Sequence, residues 1–228
     1  MIFKDILFPK FCLGCNLTGV YFCRYCVKKL NLINKDICIS CRKPSYYGLT
    51  HLNCLKKFPV DGVISFFLYD NFLKKIIKDI KYRGAYEIWE DFIKAVPTVI
   101  FQKINFYKTL SEALILQPLP LHQKKLRERG FNQAILLTNF FNQFLNFPIG
   151  NFLERKKETQ PQAQMKTKKE RYFNIRGSFK PLNKDKIAAK NFILIDDVIT
   201  TGNTVKEAAK VLKKAGAKKV YALVLARG

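Results

Sequence analysis

From about residue 60 onward, short apolar runs alternate with longer stretches in which apolar residues recur at helical spacing. The apolar runs are typical of buried strands in a parallel sheet, and they cover residues 63–69, 113–117, 192–195 and 220–225. The helical stretches cover residues 72–82, with lysines on the outer face, 134–144 and 205–215. Strands that alternate with helices predict an α/β fold in which helices flank a parallel sheet.

Two stretches of this region are less regular. Residues 86–106 predict an interrupted helix, because Pro97 limits its length or kinks it. Residues 151–190 are polar and rich in lysine, which predicts a basic, flexible flap or hairpin rather than packed core. We therefore expect one domain over residues 59–228, with the flap inside it, and a small separate domain over residues 1–58.

The small N-terminal domain holds all seven cysteines of the chain. Three C-x-x-C pairs and one H-x-x-C pair supply eight ligands, and the two-residue spacing lets a tight turn direct both ligands of a pair at one ion. Eight ligands suit two tetrahedral zinc sites, closed by protein ligands and hence structural. We expect the sites to be Cys12, Cys15, Cys23 and Cys26, and Cys38, Cys41, His51 and Cys54.

The spacing leaves alternatives open. An interleaved pairing of the four motifs uses the same eight ligands, and His51 is the weakest match because a lone histidine is often only a surface residue. Redox-active thiols are a competing interpretation, but they need one pair and leave three unexplained. Reduced thiols suit a cytoplasmic protein. We expect that location because the N-terminus lacks a secretory signal and no apolar run approaches the roughly 20 residues of a membrane span.

The chain is strongly basic: 41 Lys and Arg oppose 17 Asp and Glu, for a formal net charge of +24. Such a surplus favours polyanionic partners through counterion release, with nucleic acid ahead of an anionic membrane. The base composition of the coding DNA can produce the same surplus, because Lys, Asn, Ile, Phe and Tyr are all abundant. Charge therefore permits nucleic-acid binding without requiring it.

Residues 192–204, FILIDDVITTGNT, place two carboxylates between an apolar run and a small polar loop that precedes a helix. A parallel strand carries Asp196 and Asp197 to the carboxyl edge of the sheet, where open α/β proteins bind ligands. The loop can then turn its N–H groups and hydroxyls toward a phosphate at the helix N-terminus, with Gly202 allowing close approach or a positive φ. Ordinary turn and capping chemistry explains only part of this order.

This segment resembles the 5-phosphoribosyl-1-pyrophosphate (PRPP) signature of type I phosphoribosyltransferases. The resemblance implies that Asp196 and Asp197 hold the 2′ and 3′ hydroxyls of the ribose. It assigns the 5′-phosphate to a loop of five residues, Thr200, Thr201, Gly202, Asn203 and Thr204. Thr200 stands where some purine-salvage relatives carry an aspartate that assists the base, so we assign no catalytic residue.

Further motifs resemble the ComF family of bacterial competence-associated proteins. They are the cysteine motifs, Tyr69 with LKKIIKDIKYRG, QPLPLH with RERGFNQ, the terminal ALVLARG, and the series Arg155, Thr159, Gln162, Arg171, Asn174 and Phe179. The resemblance implies a type I phosphoribosyltransferase fold with an N-terminal double zinc ribbon. The spacing from Gln162 to Asn174 is a residue longer than the family pattern, which weakens the roles of Gln162 and Arg171.

The family also implies a pyrophosphate-binding loop after the second predicted strand. Leu121 and His122 fall in this loop, and Arg127 and Arg129 offer fork-shaped donors for phosphoryl oxygens. The alternative is a solvated helix start, which we favour for the neighbouring Lys124 and Lys125. Mg²⁺ is expected with PRPP, where it neutralises the leaving pyrophosphate.

Two functions follow from the resemblance. The first is a protein that binds PRPP or a related phosphoribosyl ligand and handles single-stranded DNA during natural transformation, beside a competence helicase. Aromatic and basic residues interleave on the flap and suit base stacking and phosphate contacts: Arg171, Tyr172, Phe173 and Arg176. The alternative is an active phosphoribosyltransferase that releases pyrophosphate from PRPP, with an unidentified acceptor and no role in DNA uptake.

Overall fold

The structure of the protein, a computed structural model, describes residues 9–82, 88–89, 91–92, 100–111, 113–159 and 167–228. Its strands are β1 (Gly62–Leu68), β2 (Leu114–Pro118), β3 (Leu153–Arg155), β4 (Phe179–Pro181), β5 (Asn191–Ile199) and β6 (Lys219–Arg227). Its α-helices are α1 (Arg24–Lys28), α2 (Leu52–Leu55), α3 (Asn71–Tyr82), α4 (Ile100–Thr109), α5 (Gln123–Arg129), α6 (Gln133–Leu145), α7 (Lys168–Ile175) and α8 (Asn203–Lys214). Two 3-10 helices span Tyr46–Gly48 and Lys184–Lys186.

Four strands form a parallel sheet in the order β1-β6-β5-β2, which confirms the predicted α/β fold. The sheet is buried on both faces, and this explains the continuous apolar runs in the sequence. Along β5, Phe192 and Leu194 contribute to the core on one face, whereas Ile193 and Ile195 contribute to the core on the other. The predicted strands therefore lack a solvent-exposed polar face.

Helices cover the sheet where the apolar periodicity predicted them. α3 and α6 match residues 72–82 and 134–144 within one residue at each end, and α8 covers most of residues 205–215. About half of the predicted interrupted helix over residues 86–106, including Pro97, lies outside the described residues. Within its described part, Trp89 and Phe92 are buried, their rings stacked with centroids 5.5 Å apart, and α4 begins at residue 100.

The basic segment over residues 151–190 contains the antiparallel pair β3–β4, as a hairpin interpretation predicted, and helix α7 lies between the two strands. The expectation of little core packing was wrong for its described part. The segment supplies four buried apolar side chains to the core, those of Leu153, Ile175, Phe179 and Ile187. Sparse apolar residues can still contribute to the core, which composition alone does not reveal.

The cysteine-rich N-terminal segment packs onto the sheet domain. Cys12, Cys23 and Cys26 are buried in the same apolar core as Ile64 of β1 and Ile193 of β5. Residues 31–33 also run antiparallel beside β1, with a bridge between Leu32 and Phe67.

None of the helices in the described ranges combines the length and apolar character that a membrane crossing requires.

Candidate functional site

The carboxyl edge of the sheet is stepped, and the paired aspartates of β5 lie at the step. The pairing of β2 with β5 ends at Pro118 and Ile195, and the N–H of Leu119 then donates to the Ile195 carbonyl at 2.9 Å. On the other side β5 continues to pair with β6 as far as Ile199. Asp196 and Asp197 therefore follow immediately after the end of the neighbouring strand, at the edge where ligands of open α/β folds bind.

Asp197 forms an ion pair with Lys81, the penultimate residue of α3. The Asp197 side chain is only 6% exposed. Burial alone would raise the pKa of Asp197, but the Lys81 ammonium outweighs burial and holds that pKa below its ordinary value. Lys81 had been expected on the solvent face of its helix, and this expectation was wrong: nothing in the helical periodicity indicates an acidic partner outside the helix.

Asp196 lies beside this ion pair and carries the opposite perturbation. Burial, together with the adjacent Asp197 carboxylate, raises the pKa of Asp196 to about 8. The backbone N–H of Asp197 also donates to Oδ1 of Asp196 at 2.9 Å. At neutral pH the pair therefore holds one shared proton, and a bound cation or a set of hydroxyl donors would favour its release.

Two cationic side chains act on the acidic pair, Arg129 on Asp197 and Arg155 on Asp196, and a third cation, Lys125, lies near both arginines. Burial, followed by the positive charges of Arg155 and Arg129, lowers the pKa of Lys125. Burial likewise lowers the pKa of Arg155, and the nearby Asp196 opposes that effect. Lys125 Nζ donates to the backbone carbonyl of Thr159, and Arg155 donates to the hydroxyl of the same residue. Thr159 thus fixes two of the three cations.

These positions refine the predicted pyrophosphate-binding residues. Lys125 and Arg129 are four residues apart on α5 and share a face, whereas Arg127 lies on another face and is exposed. Lys124 is exposed, as the solvated interpretation predicted, but its partner is Glu158, at 3.1 Å, and not the Glu128 that this interpretation favoured. The solvated interpretation was wrong for Lys125. Its i, i+4 spacing from Arg129 could have indicated that the two side chains share one face of the helix.

The RGFNQ motif over residues 129–133 is a helix-to-helix connection. Gly130 ends α5 with a φ of 77°, a conformation that strongly favours glycine. Asn132 begins α6: its Oδ1 accepts from the Ala134 N–H at 3.0 Å, and its Nδ2 donates to the Leu119 carbonyl at 3.0 Å. This second bond fixes the connection to the end of β2. Arg129 donates to the Gln133 side chain at 2.7 Å, which orients its guanidinium.

The remaining predicted pyrophosphate residues form the start of α5. Leu121 and His122 lie between the end of β2 and this helix and are partly buried. His122 is the N-cap, and its Nδ1 accepts from the backbone N–H of Lys124 at 3.4 Å. Both residues therefore connect the end of β2 to the helix that carries Arg129. A pyrophosphate role for them stays a prediction.

The polar loop Thr200–Thr204 follows β5 and lines a small concavity. Gly202 is buried, has a φ of 74° and precedes α8, whose first-turn N–H groups have no acceptor within the helix. Asn203 and Thr204 supply two of these groups. The loop thus combines backbone donors, hydroxyls and the positive end of a helix, which is the composition of an anion site.

The eight predicted metal ligands form two separate clusters. The sulfurs of Cys12, Cys15, Cys23 and Cys26 lie within 4.8 Å of one another, and so do the ligand atoms of Cys38, Cys41, His51 and Cys54. The pairing is therefore sequential and not interleaved. Cys15 and Cys23 sulfurs are 3.6 Å apart, close to the about 3.8 Å expected for two thiolates on one tetrahedral zinc with 2.3 Å bonds.

The two clusters repeat the same local structure. The N–H of Cys12 donates to Leu17 and that of Cys38 donates to Lys43, each five residues on, while Asn16 and Arg42 adopt equivalent positive φ angles of 62° and 61°. Each turn is completed by a short helix, α1 or α2, whose N-cap is a ligand. Both clusters therefore bring their four ligands together with the same turn and short helix.

His51 is placed as a ligand of the second cluster. Its Nδ1 lies 3.3 Å from the Cys41 sulfur, and its Nε2 lies 3.2 Å from the Pro44 carbonyl oxygen. A carbonyl only accepts, so Nε2 carries the proton and Nδ1 directs its lone pair at the cluster. Metal-binding histidines regularly donate their second N–H to a carbonyl in this way. The donor set therefore fits zinc.

Comparisons with known proteins agree with this geometry. A family model of the phosphoribosyl transferase domain matches residues 134–228. Competence protein F of Haemophilus influenzae is 28% identical over 227 residues, which cover 90% of this chain and 96% of that protein. Competence protein ComFC of Bacillus subtilis is 28% identical over 206 residues, covering 85% of this chain and 78% of that protein.

A third relative carries a different name. The DNA utilization protein YhgH of Escherichia coli is 24% identical over 200 residues, which cover 85% of both chains. The aligned regions of all three relatives span most of the chain, including far more than the phosphoribosyl transferase domain. These similarities support a ComFC-like protein with a type I phosphoribosyltransferase domain, and its two cysteine-rich clusters fit an N-terminal zinc ribbon.

Proposed function

We propose that the carboxyl edge of the sheet binds PRPP or a closely related phosphoribosyl ligand. The observation that carries this proposal is the order of groups along one edge: an acidic pair at the step between β2 and β5, then a loop that is rich in N–H donors and begins α8. Asp196 and Asp197 accept from ribose hydroxyls. The loop Thr200–Thr204 takes the 5′-phosphate.

The charges around the pair support a pyrophosphate group on the same ligand. Arg129 and Arg155 lie near the carboxylates, Lys125 lies near these two arginines, and burial lowers the pKa of Lys125 and of Arg155. Clustered, partly buried cations gain stabilisation from a polyanion that they do not gain from water. Mg²⁺, where bound, would neutralise pyrophosphate charge, and Asp196 and Asp197 are the carboxylates suited to orient its water ligands.

Isothermal titration calorimetry with PRPP and Mg²⁺ tests the site. Asp196→Asn and Asp197→Asn remove the acceptors and should weaken binding at least about tenfold each, the loss of charged hydrogen bonds. Asp185→Asn makes the same chemical change at an exposed residue in the 3-10 helix Lys184–Lys186, and it should leave affinity unchanged. Equal affinity of all four proteins would contradict the proposal.

We further propose that the protein acts in the use or uptake of DNA by binding single strands. Three relatives are named for competence or DNA utilization, and the net charge of +24 suits a polyanion. On α7, Phe173 is 51% exposed and its ring meets that of Tyr172 edge to face at 5.4 Å. An exposed aromatic ring on a basic segment is a stacking surface for a base.

Fluorescence anisotropy of a labelled oligonucleotide over a salt series tests DNA binding. The logarithm of the association constant should fall steeply with the logarithm of salt concentration. Phe173→Ala should weaken binding about fivefold or more through lost stacking. Ile149→Ala removes a comparably exposed apolar side chain outside the flap and should have no effect. A flat salt dependence would exclude phosphate-driven binding.

Phosphoribosyl transfer is the second candidate function, and the cations opposite the acidic pair favour it. Lys125, Arg129 and Arg155 are positioned to stabilise the charge that develops on a departing pyrophosphate. Transfer would break the bond between C1 of the ribose and the pyrophosphate oxygen and join C1 to an acceptor nucleophile. Coupled detection of pyrophosphate with candidate acceptors distinguishes the two functions: PRPP binding without release of pyrophosphate supports a binding protein.

A further inference from the structure

The phosphate loop rests on an aromatic ring from the cysteine-rich segment. Phe58 is 6% exposed, and its ring lies so close beneath Gly202 that a β-carbon built on that glycine would be 2.9 Å from Cζ and 3.0 Å from Cε2. Lys206, in the first turn of α8, places its Nζ over the same ring, 5.9 Å from the centroid. The ring thus contacts both the turn and the helix that follows it.

Phe58 is in turn held by the second metal cluster. Its backbone N–H donates to the carbonyl of Cys54 at 3.0 Å, and the N–H of Cys54 donates to the carbonyl of His51 at 2.8 Å. Ile39, which lies between the ligands Cys38 and Cys41, packs against the apolar cluster that contains Phe58. Both halves of the second cluster therefore contact the apolar layer beneath the loop.

The flanks of the loop belong to this same layer. Ile199, the last residue of β5, and Val205, in the first turn of α8, are buried in the apolar cluster with Phe58. The five loop residues are anchored on both sides, with Gly202 seated on the ring in the middle. A displacement of the ring would change the path of the turn, since Gly202 has no side chain to fill the gap.

We propose that Phe58 is a positioning residue for the 5′-phosphate loop, and that the second metal cluster is coupled through it to phosphate binding. This inference rests on the proposed function, because it assigns the loop to a phosphate. The ligand class is a phosphorylated pentose. The zinc-ribbon segment then has a second role besides its own folding: it fixes the directions of the N–H groups that receive the phosphate.

Phe22 provides a matched control for Phe58. Both phenylalanines are buried and lie within four residues of a cluster ligand, but Phe22 belongs to the other apolar core and packs edge to face on Phe92 at 4.8 Å. Phe58→Leu and Phe22→Leu remove similar apolar volume, one from each of the two apolar cores. Both variants should lose thermal stability, and only Phe58→Leu should change the phosphate loop.

Two measurements on the full-length, zinc-loaded protein test the inference. Titration with ribose 5-phosphate should show about tenfold weaker binding for Phe58→Leu and a change below twofold for Phe22→Leu. Hydrogen–deuterium exchange without ligand should be faster in peptides covering residues 199–206 of Phe58→Leu, and unchanged there in Phe22→Leu. Zinc content, measured in parallel, should remain two per chain in both variants.

The outcomes separate this inference from the proposed function. If the parent protein binds neither ribose 5-phosphate nor PRPP, the proposed phosphoribosyl site fails, whatever the exchange data show. If the parent binds and Phe58→Leu retains both parental affinity and parental exchange in the loop, the positioning role of Phe58 is overturned. Equal losses of affinity in Phe58→Leu and Phe22→Leu would also overturn it, because they would indicate general destabilisation.

Discussion

At the scale of single residues, the decisive feature is the unequal pair Asp196 and Asp197. One carboxylate is neutralised by Lys81 and ionises below its ordinary range, whereas burial and its neighbour raise the pKa of the other to about 8. Two adjacent carboxylates on a strand cannot both be stable as anions in a buried site without cations. The ligand-free pair therefore carries a single negative charge near neutral pH, and hydroxyl donors or a cation from a ligand would favour the second charge.

Asp196→Asn should stabilise the ligand-free protein while it weakens PRPP binding. The raised pKa means that the folded state retains a proton that the unfolded state has lost, so stability falls as pH rises from about 4 to about 8. The amide does not titrate. The melting temperature of the variant minus that of the parent should therefore increase from pH 5 to pH 8 and level off above it. A difference independent of pH would contradict the perturbed carboxyl group.

At the scale of elements, the site depends on where each strand ends and which helix begins next. β2 ends at Pro118, which pairs with Ile195, the residue before the acidic pair. Helix α5 then carries Arg129, which acts on Asp197, and Lys125, which lies near Arg129. The sequence predicted the strands, the main helices and the edge position of the aspartates, because apolar runs and their order report burial directly. The contacts of Lys81 and Lys125, and the burial of apolar side chains in the basic flap, could not be predicted from the sequence, because they join elements far apart in the chain.

Lys125→Met should weaken PRPP binding about tenfold or more, since it removes a partly buried cation from the proposed pyrophosphate position. Its effect on ribose 5-phosphate should be below threefold, because that ligand lacks the pyrophosphate. Arg127→Met removes an exposed cation two residues along the same helix and should leave both affinities unchanged. Calorimetry on the three proteins makes the comparison; equal effects on the two ligands would place Lys125 elsewhere.

At the scale of the whole molecule, the cysteine-rich segment and the sheet domain share their apolar cores. Cys12, Cys23 and Cys26 are buried with residues of β1 and β5, while Phe58 and Ile39 join the layer beneath α8. The two-part division of the chain that the sequence suggested describes its motifs well, but the packing connects the parts closely. We therefore expect loss of either metal to destabilise the sheet domain as well.

His51→Ala should reduce the zinc content from two ions per chain to one, because it removes the imidazole of the second cluster. The melting temperature should fall by about 10 °C or more, given the free energy of a structural zinc site and the size of the chain. His122→Ala changes the other histidine, which caps α5, and should retain both ions. Native mass spectrometry and thermal melting provide the readouts, and two zinc ions in His51→Ala would exclude it as a ligand.

A crystal structure of the protein with ribose 5-phosphate, or with PRPP and Mg²⁺, tests the proposed phosphoribosyl site most directly. We expect the 5′-phosphate on the N–H groups of Thr200–Thr204, the ribose hydroxyls on Asp196 and Asp197, and Lys81 displaced from its ion pair or bonded to the ligand. A sugar phosphate bound away from β5, with the Lys81–Asp197 ion pair intact, would contradict the proposed site.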